Sequence, residues 1–345
     1  MAHEQEKPQG ALIISLDLEL YWGMFDKATL KQYGAHIRGV HEVVPEILAL
    51  FQKHDMHATW AAVGMMSYAN RAELAAALPP EDLRPNYPDP TISSYHHLAS
   101  GGVGDGEVDD PYHFGESIIR QILATPGQEL GSHTFSHYYA LEGGQGPEHW
   151  KADLEAAAAA LSRFGTPPTS LVFPRNQINE GYLGYALDEG ITAVRTTQDH
   201  ALYRPKEERA QVALHLRAGR FLDRYLNLTG HHTFTWQELG SVAPFRLPAS
   251  RQLVPYSRLL ALAEPLKRQR IELGLTHAAH TGRLFHLWWH PHNFGVNQTE
   301  NLAGLEELLD YAALLRERYG FASLSMAEAV ARVRPTEHDQ PSTAQ

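Results

Sequence analysis

The 345-residue chain contains no cysteine. A disulfide framework and a thiolate metal site are thereby excluded, and any bound metal must be held by nitrogen and oxygen ligands. It also lacks a basic run: 29 Lys and Arg stand against 40 Asp and Glu, a formal charge of -11. No nucleic-acid partner is expected, because phosphate backbones are bound by clustered cations. No uninterrupted apolar stretch approaches the roughly 20 residues needed to cross a bilayer, so the protein is not expected to span a membrane. Residues 1–10, MAHEQEKPQG, show neither an apolar segment nor a small-residue cleavage pattern. No export leader is expected, and the cytoplasm is the expected location.

What is present is 43% hydrophobic residues, enough for a sizeable core. Short apolar runs at 11–18, 58–64, 129–132, 170–174, 193–197, 284–290 and 321–324 alternate with stretches of helical period, the pattern of an α/β domain. Ile37, Val40, Val44, Ile47 and Phe51 mark one helix face, with Pro45 expected to start or kink that helix. Leu154, Ala157, Leu161 and Phe164 repeat the pattern, as do Leu302, Leu305, Leu309, Ala312 and Leu315. Ser325 and Glu328 have the spacing of a capping box. Residues 67–115 and 204–282 break the alternation and are read as two long insertions. The first resembles a loop covering a site; the second holds amphipathic pieces near 212–226 and 259–273. Residues 335–345 are expected to be a flexible tail.

Four motifs carry chemistry, each at the end of an expected strand. His133 and His137 are spaced four apart, which on a helical turn brings two imidazoles to one ion. Asp17 and Glu19 end the first strand, where ligands gather in parallel α/β folds; alone, either reads equally as a cap or an ion-pair partner. His290, in Phe-His-Leu-Trp-Trp-His-Pro, is suited to donate a proton inside an apolar pocket. Arg175, in Val-Phe-Pro-Arg-Asn, is suited to orient a carboxylate or an anionic substrate group. Coincidence is less credible for the set than for any member, since a barrel brings successive strand ends to one mouth.

In order and content these motifs resemble the polysaccharide deacetylases of the NodB-homology type, carbohydrate esterase family four. The resemblance covers roughly residues 10–200 and 284–330. It rests on Ser-Leu-Asp17-Leu-Glu19, His133-Thr-Phe-Ser-His137, Phe-Pro-Arg175-Asn and His290-Pro, with His57-Ala-Thr-Trp-Ala-Ala-Val-Gly64 similar to the family's second strand. It implies a distorted (β/α)7-type barrel as a single domain over residues 10–330. It also implies one divalent metal ion, zinc foremost with cobalt, nickel, manganese or iron as alternatives. Glu19, His133 and His137 are the implied ligands, Asp17 the base, and His290 and Arg175 further catalytic residues. The exchange of Asp17 and Glu19 stays open, because the spacing Asp-x-Glu departs from the family's adjacent acids. The Arg motif is displaced too, reading Phe-Pro-Arg-Asn.

The implied reaction removes an N-acetyl or other N-acyl group from an amino sugar, sugar nucleotide or lipid-linked sugar in cell-envelope precursor metabolism. Trp22 and Trp289 are expected to bind the sugar, with Trp288 beside them, although paired Trp residues also suit a core. Alternatives are a hydrolase of a cyclic amide or ureide, possibly metal-free, and an inactive carbohydrate-binding relative. A non-haem iron oxygenase shares the two-His, one-carboxylate set but would need strand hairpins, which are not found.

Overall fold

The computed structural model describes residues 9–204 and 214–333. The expected tail at 335–345 and the first residues of the amphipathic piece at 212–226 lie outside the described residues. Nine strands are described: β1 (Ala11–Leu18), β2 (Ala58–Ala62), β3 (Gln128–Ser132), β4 (Ser170–Val172), β5 (Ala193–Thr196), β6 (Phe245–Pro248), β7 (Arg251–Gln252), β8 (Leu284–Trp289) and β9 (Ala322–Leu324). All their pairings are parallel, in the order β6-β5-β4-β3-β2-β1-β8-β7, with β9 on β1.

β1 is buried at every position, as a parallel strand covered on both faces must be. Its side chains still divide by parity. Leu12, Ile14, Leu16 and Leu18 join the cluster shared with the surrounding helices, whereas Ala11 and Ile13 join a second cluster inside the curled sheet. Each such buried leucine or isoleucine contributes about 1.5–3 kcal/mol. β8 divides the same way: Phe285, Leu287 and Trp289 face the helices, while Leu284 packs inside. The inner row then turns polar, and His286 Nε2 lies 2.8 Å from Ser15 Oγ across the β1–β8 pair. One end of the interior is plugged by Met326, Ala329 and Val330 of the helix Met326–Val333. That helix begins with the expected capping box, in which Ser325 N donates to Glu328 Oε2 (2.8 Å) and Glu328 N to Ser325 Oγ (3.2 Å).

The two free edges of the sheet belong to one continuous piece of chain. β6 pairs with β5 and β7 with β8. Between them Ala249 N donates to Thr196 O and Ser250 N to His286 O, both at 2.8 Å. Residues 245–252 therefore leave one edge and join the other, closing a barrel in which β6 and β7 together act as one stave. The expected distorted (β/α)7-type barrel is the observed architecture.

Three expectations are corrected. The span 204–282 is not a single insertion, because it contains β6 and β7 and the helix Glu264–Thr281, which packs on β8. Neither short strand carries a long apolar run, and β7 is only two residues. The span 67–115 is a packed element and not a loose cover. It holds the helices Arg71–Ala76 and Ser94–Ala99, and Leu74, Tyr95, Leu98 and Phe114 enter the outer core. Finally, Pro45 lies inside the helix Val40–His54 without ending it. The break from the preceding helix Leu30–Arg38 falls at Gly39, where a Cβ would stand 2.0 Å from Gly295 O.

His286 is fully buried, and its burial, reinforced by the nearby Arg195 charge, pushes its pKa down to about 3. Its folded pKa thus lies below the unfolded value of about 6.5, so the unfolded chain takes up the proton first and stability falls as pH drops from 6.5 toward 3. Urea unfolding between pH 4.5 and 7 is expected to show this loss. His286→Gln should remove up to about 1.4 kcal/mol per pH unit of it. Equal slopes for the two proteins would contradict the assignment.

Candidate active site

Asp17 is the last inward residue of β1, and Arg195 is its counterpart on β5 across the barrel. Arg195 donates from both terminal nitrogens to the Asp17 carboxylate, at 2.5 and 2.7 Å, and also reaches Ser15 Oγ at 3.1 Å. Both are buried, and the guanidinium lies 4.4 Å from the Trp288 ring centroid. Burial alone would raise the Asp17 pKa. The Arg195 charge, followed by His290 and the Arg195 hydrogen bonds, outweighs it and holds the carboxyl below its ordinary value.

Glu19 follows, between the end of β1 and the turn Leu20–Gly23. Its carboxyl group lies against Gly23, where a Cβ would come within 2.1 Å of Glu19 Cδ, so any side chain at 23 would displace it. Burial opposes its ionisation too, but His290, then the adjoining His133 and His137 rings, hold its pKa well below the usual range.

The two histidines sit on the loop after β3, and here the expected helical turn is not found. Thr134 and His137 both have left-handed backbones, with φ of 64° and 56°. This shape is imposed from outside. Asp153, buried on the helix Pro147–Ser162, accepts from Phe135 N (2.7 Å), Ser136 N (3.1 Å) and Ser136 Oγ. Burial nevertheless pushes the Asp153 pKa up to about 6. From the other side Ser94 Oγ donates to Ser136 O (2.6 Å) and Tyr139 N donates to Tyr87 OH (2.9 Å). The 67–115 region thus braces this loop, and none of its residues lines the cavity.

His133 Nδ1 is 2.8 Å from the Val172 carbonyl oxygen. A carbonyl only accepts, so Nδ1 carries the proton and Nε2 turns its lone pair toward Glu19 Oε2, 3.4 Å away. His137 Nε2 is 3.1 Å from the same oxygen, and its Nδ1 is 3.1 Å from Tyr139 OH. One ligand atom from each of Glu19, His133 and His137 lies within 4.8 Å of the others. Buried lone pairs converging on an ionised carboxylate fit a divalent cation between them, with the outer ring nitrogens anchored as metal-bound histidines require.

His290 enters from the end of β8, with Nε2 3.6 Å from Asp17 Oδ2 and 3.8 Å from Glu19 Oε1. Its ring stacks on His292 at 4.9 Å. His292 is buried with Nδ1 3.6 Å from Glu19 Oε1; burial and then the His290 charge push its pKa down to about 3.

These groups open onto a cavity of about 490 Å³, lined also by Arg175, Trp288 and several cationic side chains. Arg175 does not hold Asp17: its carboxylate partner is Asp26, at 2.6 and 2.7 Å, and its guanidinium covers the Tyr139 ring. Trp22 and Trp289 are corrected as substrate-binding candidates. Trp22 is fully buried and donates to His113 O at 2.7 Å. Trp289 is fully buried against Phe51 and Phe294. Strand parity decides the second case, turning Trp288 into the cavity and Trp289 into the helix layer. Among the remaining histidines, His97 contacts His113 (2.9 Å) and His231 stacks on His277 (5.2 Å). Neither pair lines the cavity. Arg195, Asp153 and Asp26 were not anticipated. For Arg195 a signal existed, since a lone charge inside the apolar run 193–197 needs a buried partner.

A family profile described as Polysaccharide deacetylase matches residues 22–194, a stretch that contains His133, His137 and Arg175 but neither the β1 acids nor His290. No curated protein matches the chain significantly. Among solved structures, a Mycobacterium smegmatis protein assigned as a polysaccharide deacetylase has a TM-score of 0.56 at 14% identity, covering 99% of this chain and 97% of its own. Puue allantoinase has a TM-score of 0.53 at 13% identity, covering 98% and 94%. At these identities both are likenesses of fold.

Two measurements probe the site's framework. Replacing Arg195 by Met leaves a buried, unpaired Asp17 and is expected to cost about 3–5 kcal/mol, much of it regained in the double variant Arg195→Met with Asp17→Asn. Additive losses in denaturant unfolding would argue against the pair. Asp153→Asn offers the loop one acceptor oxygen in place of two, and should weaken any divalent-cation binding at the cluster about 10- to 100-fold in a competitive chelator titration.

Proposed function

Because the chain belongs to the polysaccharide deacetylase family, we propose that it is a metal-dependent hydrolase that removes an N-acetyl or other N-acyl group from an amino sugar or sugar conjugate. The observation that carries this reading is the convergence of Glu19, His133 and His137 beside an Arg195-held Asp17 and a cavity-facing His290. Amides resist hydrolysis because water is a weak nucleophile and an amine a poor leaving group, so two proton transfers need assistance. A divalent ion held by Glu19, His133 and His137, zinc foremost, would lower the pKa of a water toward about 7 and polarise the acyl carbonyl.

Asp17 is the proposed base. Its ionisation is secured by Arg195, which leaves it able to accept the proton of the attacking water. His290 is the proposed acid, positioned within 4 Å of both carboxylates and open to the cavity, where it would protonate the departing nitrogen. Arg175, braced by Asp26 on the cavity wall, would orient the substrate. Trp288 takes the part of an aromatic platform for the sugar ring. The products would be a free amine and a small carboxylic acid.

The test is amine release by zinc-loaded protein from a panel of N-acylated amino sugars, with allantoin as a cyclic ureide control. Asp17→Asn should retain zinc and lose about 100- to 10,000-fold in turnover. His133→Ala should lose the zinc itself. Hydrolysis of the ureide alone would replace this reading with the cyclic-amide alternative, and sugar binding without any amine release would mark a non-catalytic relative.

A further inference from the structure

The cavity has the opposite electrostatic character to the chain that builds it. The protein carries a formal charge of -11. Its cavity wall nevertheless presents Lys27, Arg175, Arg204, Arg220, Arg224 and Arg251, against only Asp17 and Glu19. Those two carboxylates are engaged, one by Arg195 and the other by the histidine cluster.

The cations separate by partner. Arg175 is neutralised by Asp26, and Lys27 lies 3.8 Å from the same carboxylate. Arg251 donates to Asp223 at 2.6 Å and to Gly230 O. Arg220 and Arg224 differ from these. Arg220, on the helix Leu214–Asp223, donates through Nε to Leu202 O (2.6 Å) and has no ion pair among the described residues. The side chain of Arg224, just beyond that helix, has neither hydrogen bond nor ion pair among the described residues, although it is half-buried.

Burial lowers the pKa of both, Tyr203 opposes it for both and Tyr225 for Arg224, the nearby Arg220 charge adds to the lowering at Arg224, and among the described residues no carboxylate acts on either. Two partly buried guanidinium groups, four residues apart in the chain and lining one cavity with no counter-ion among the described residues, are unfavourable in the free protein. The state that relieves them has an anion between them. Guanidinium forks match the oxygens of phosphate in bidentate fashion, and a phosphate carries up to two charges where a carboxylate carries one.

We infer that the substrate is an acylamino sugar bearing a phosphate ester, whose phosphate is seated by Arg220 and Arg224 in the same cavity that Glu19 and His137 line. This rests on the amide-hydrolase reading for the reacting end of the substrate and adds the recognition of its other end. A sugar 1-phosphate and a sugar linked to a nucleoside diphosphate share this chemistry.

The experiment is equilibrium binding to the zinc-loaded, full-length protein by calorimetry, which needs no turnover. The ligands are N-acetylglucosamine, N-acetylmuramic acid as a carboxylate control, N-acetylglucosamine 1-phosphate and UDP-N-acetylglucosamine. At least one phosphorylated ligand is expected to bind about 10- to 100-fold more tightly than the neutral sugar, and the stronger of the two identifies the source of the phosphate. Arg224→Ala should erase most of that advantage, and Arg220→Ala should act in the same direction, which guards against one variant merely misfolding. Arg224→Lys, with its charge but not its fork, should fall between. Equal affinity for neutral and phosphorylated sugars, an advantage for the carboxylate alone, or a phosphate advantage that survives both alanine variants would overturn the proposal. Arginine-dependent phosphate binding without amine release would sink the hydrolase reading and leave this one standing. Amine release with no preference for phosphate would do the reverse.

Discussion

The bidentate pair between Asp17 and Arg195 is the interaction around which the barrel interior is organised. A carboxylate and a guanidinium both shielded from water are tolerated only when each satisfies the other, and here geometry and charge agree. The pair joins β1 to β5 across the barrel, and with Ser15 and His286 it makes the polar layer above the apolar interior. It also sets an electrical condition for the mouth. Arg195 holds Asp17 ionised where burial alone would favour its neutral form, and an ionised carboxylate is what the proposed base must be.

The second constraint is the orientation of lone pairs. His133 commits Nδ1 to a backbone carbonyl, so its Nε2 faces Glu19. The loop that carries both histidines has two left-handed residues and is held in that shape by Asp153 on one side and by Ser94 and Tyr87 on the other. Such strained backbone persists where surrounding structure over-determines it. The 67–115 region consequently acts on the site from behind, as a brace for the loop, and contributes nothing to the cavity lining. An acidic exterior around a cationic cleft also focuses the field on the opening, which favours capture of a small anion over adhesion to an extended polyanion.

The sequence by itself determined the α/β class, the β1, β2, β3, β4, β5, β8 and β9 strands, and the convergence of motifs at one barrel mouth. These are legible because hydrophobic period and strand-end position are local properties. It missed β6 and β7, because a stave split into a four-residue and a two-residue strand has no run long enough to read. Tertiary structure alone decided which arginine meets Asp17, since Arg195 and Arg175 both end up near the mouth and only the inward parity of β5 distinguishes them. It decided likewise that Trp288, and not Trp289 or Trp22, faces the cavity. It also set Glu19 beside the histidine pair while Asp17 went to Arg195. Residue type and spacing specify what a side chain can do, but direction along a strand, as for Trp288 against Trp289, or the path of the chain beyond it, as for Glu19 against Asp17, selects its partners, and those of Glu19 and Asp17 lie more than a hundred residues away in the chain.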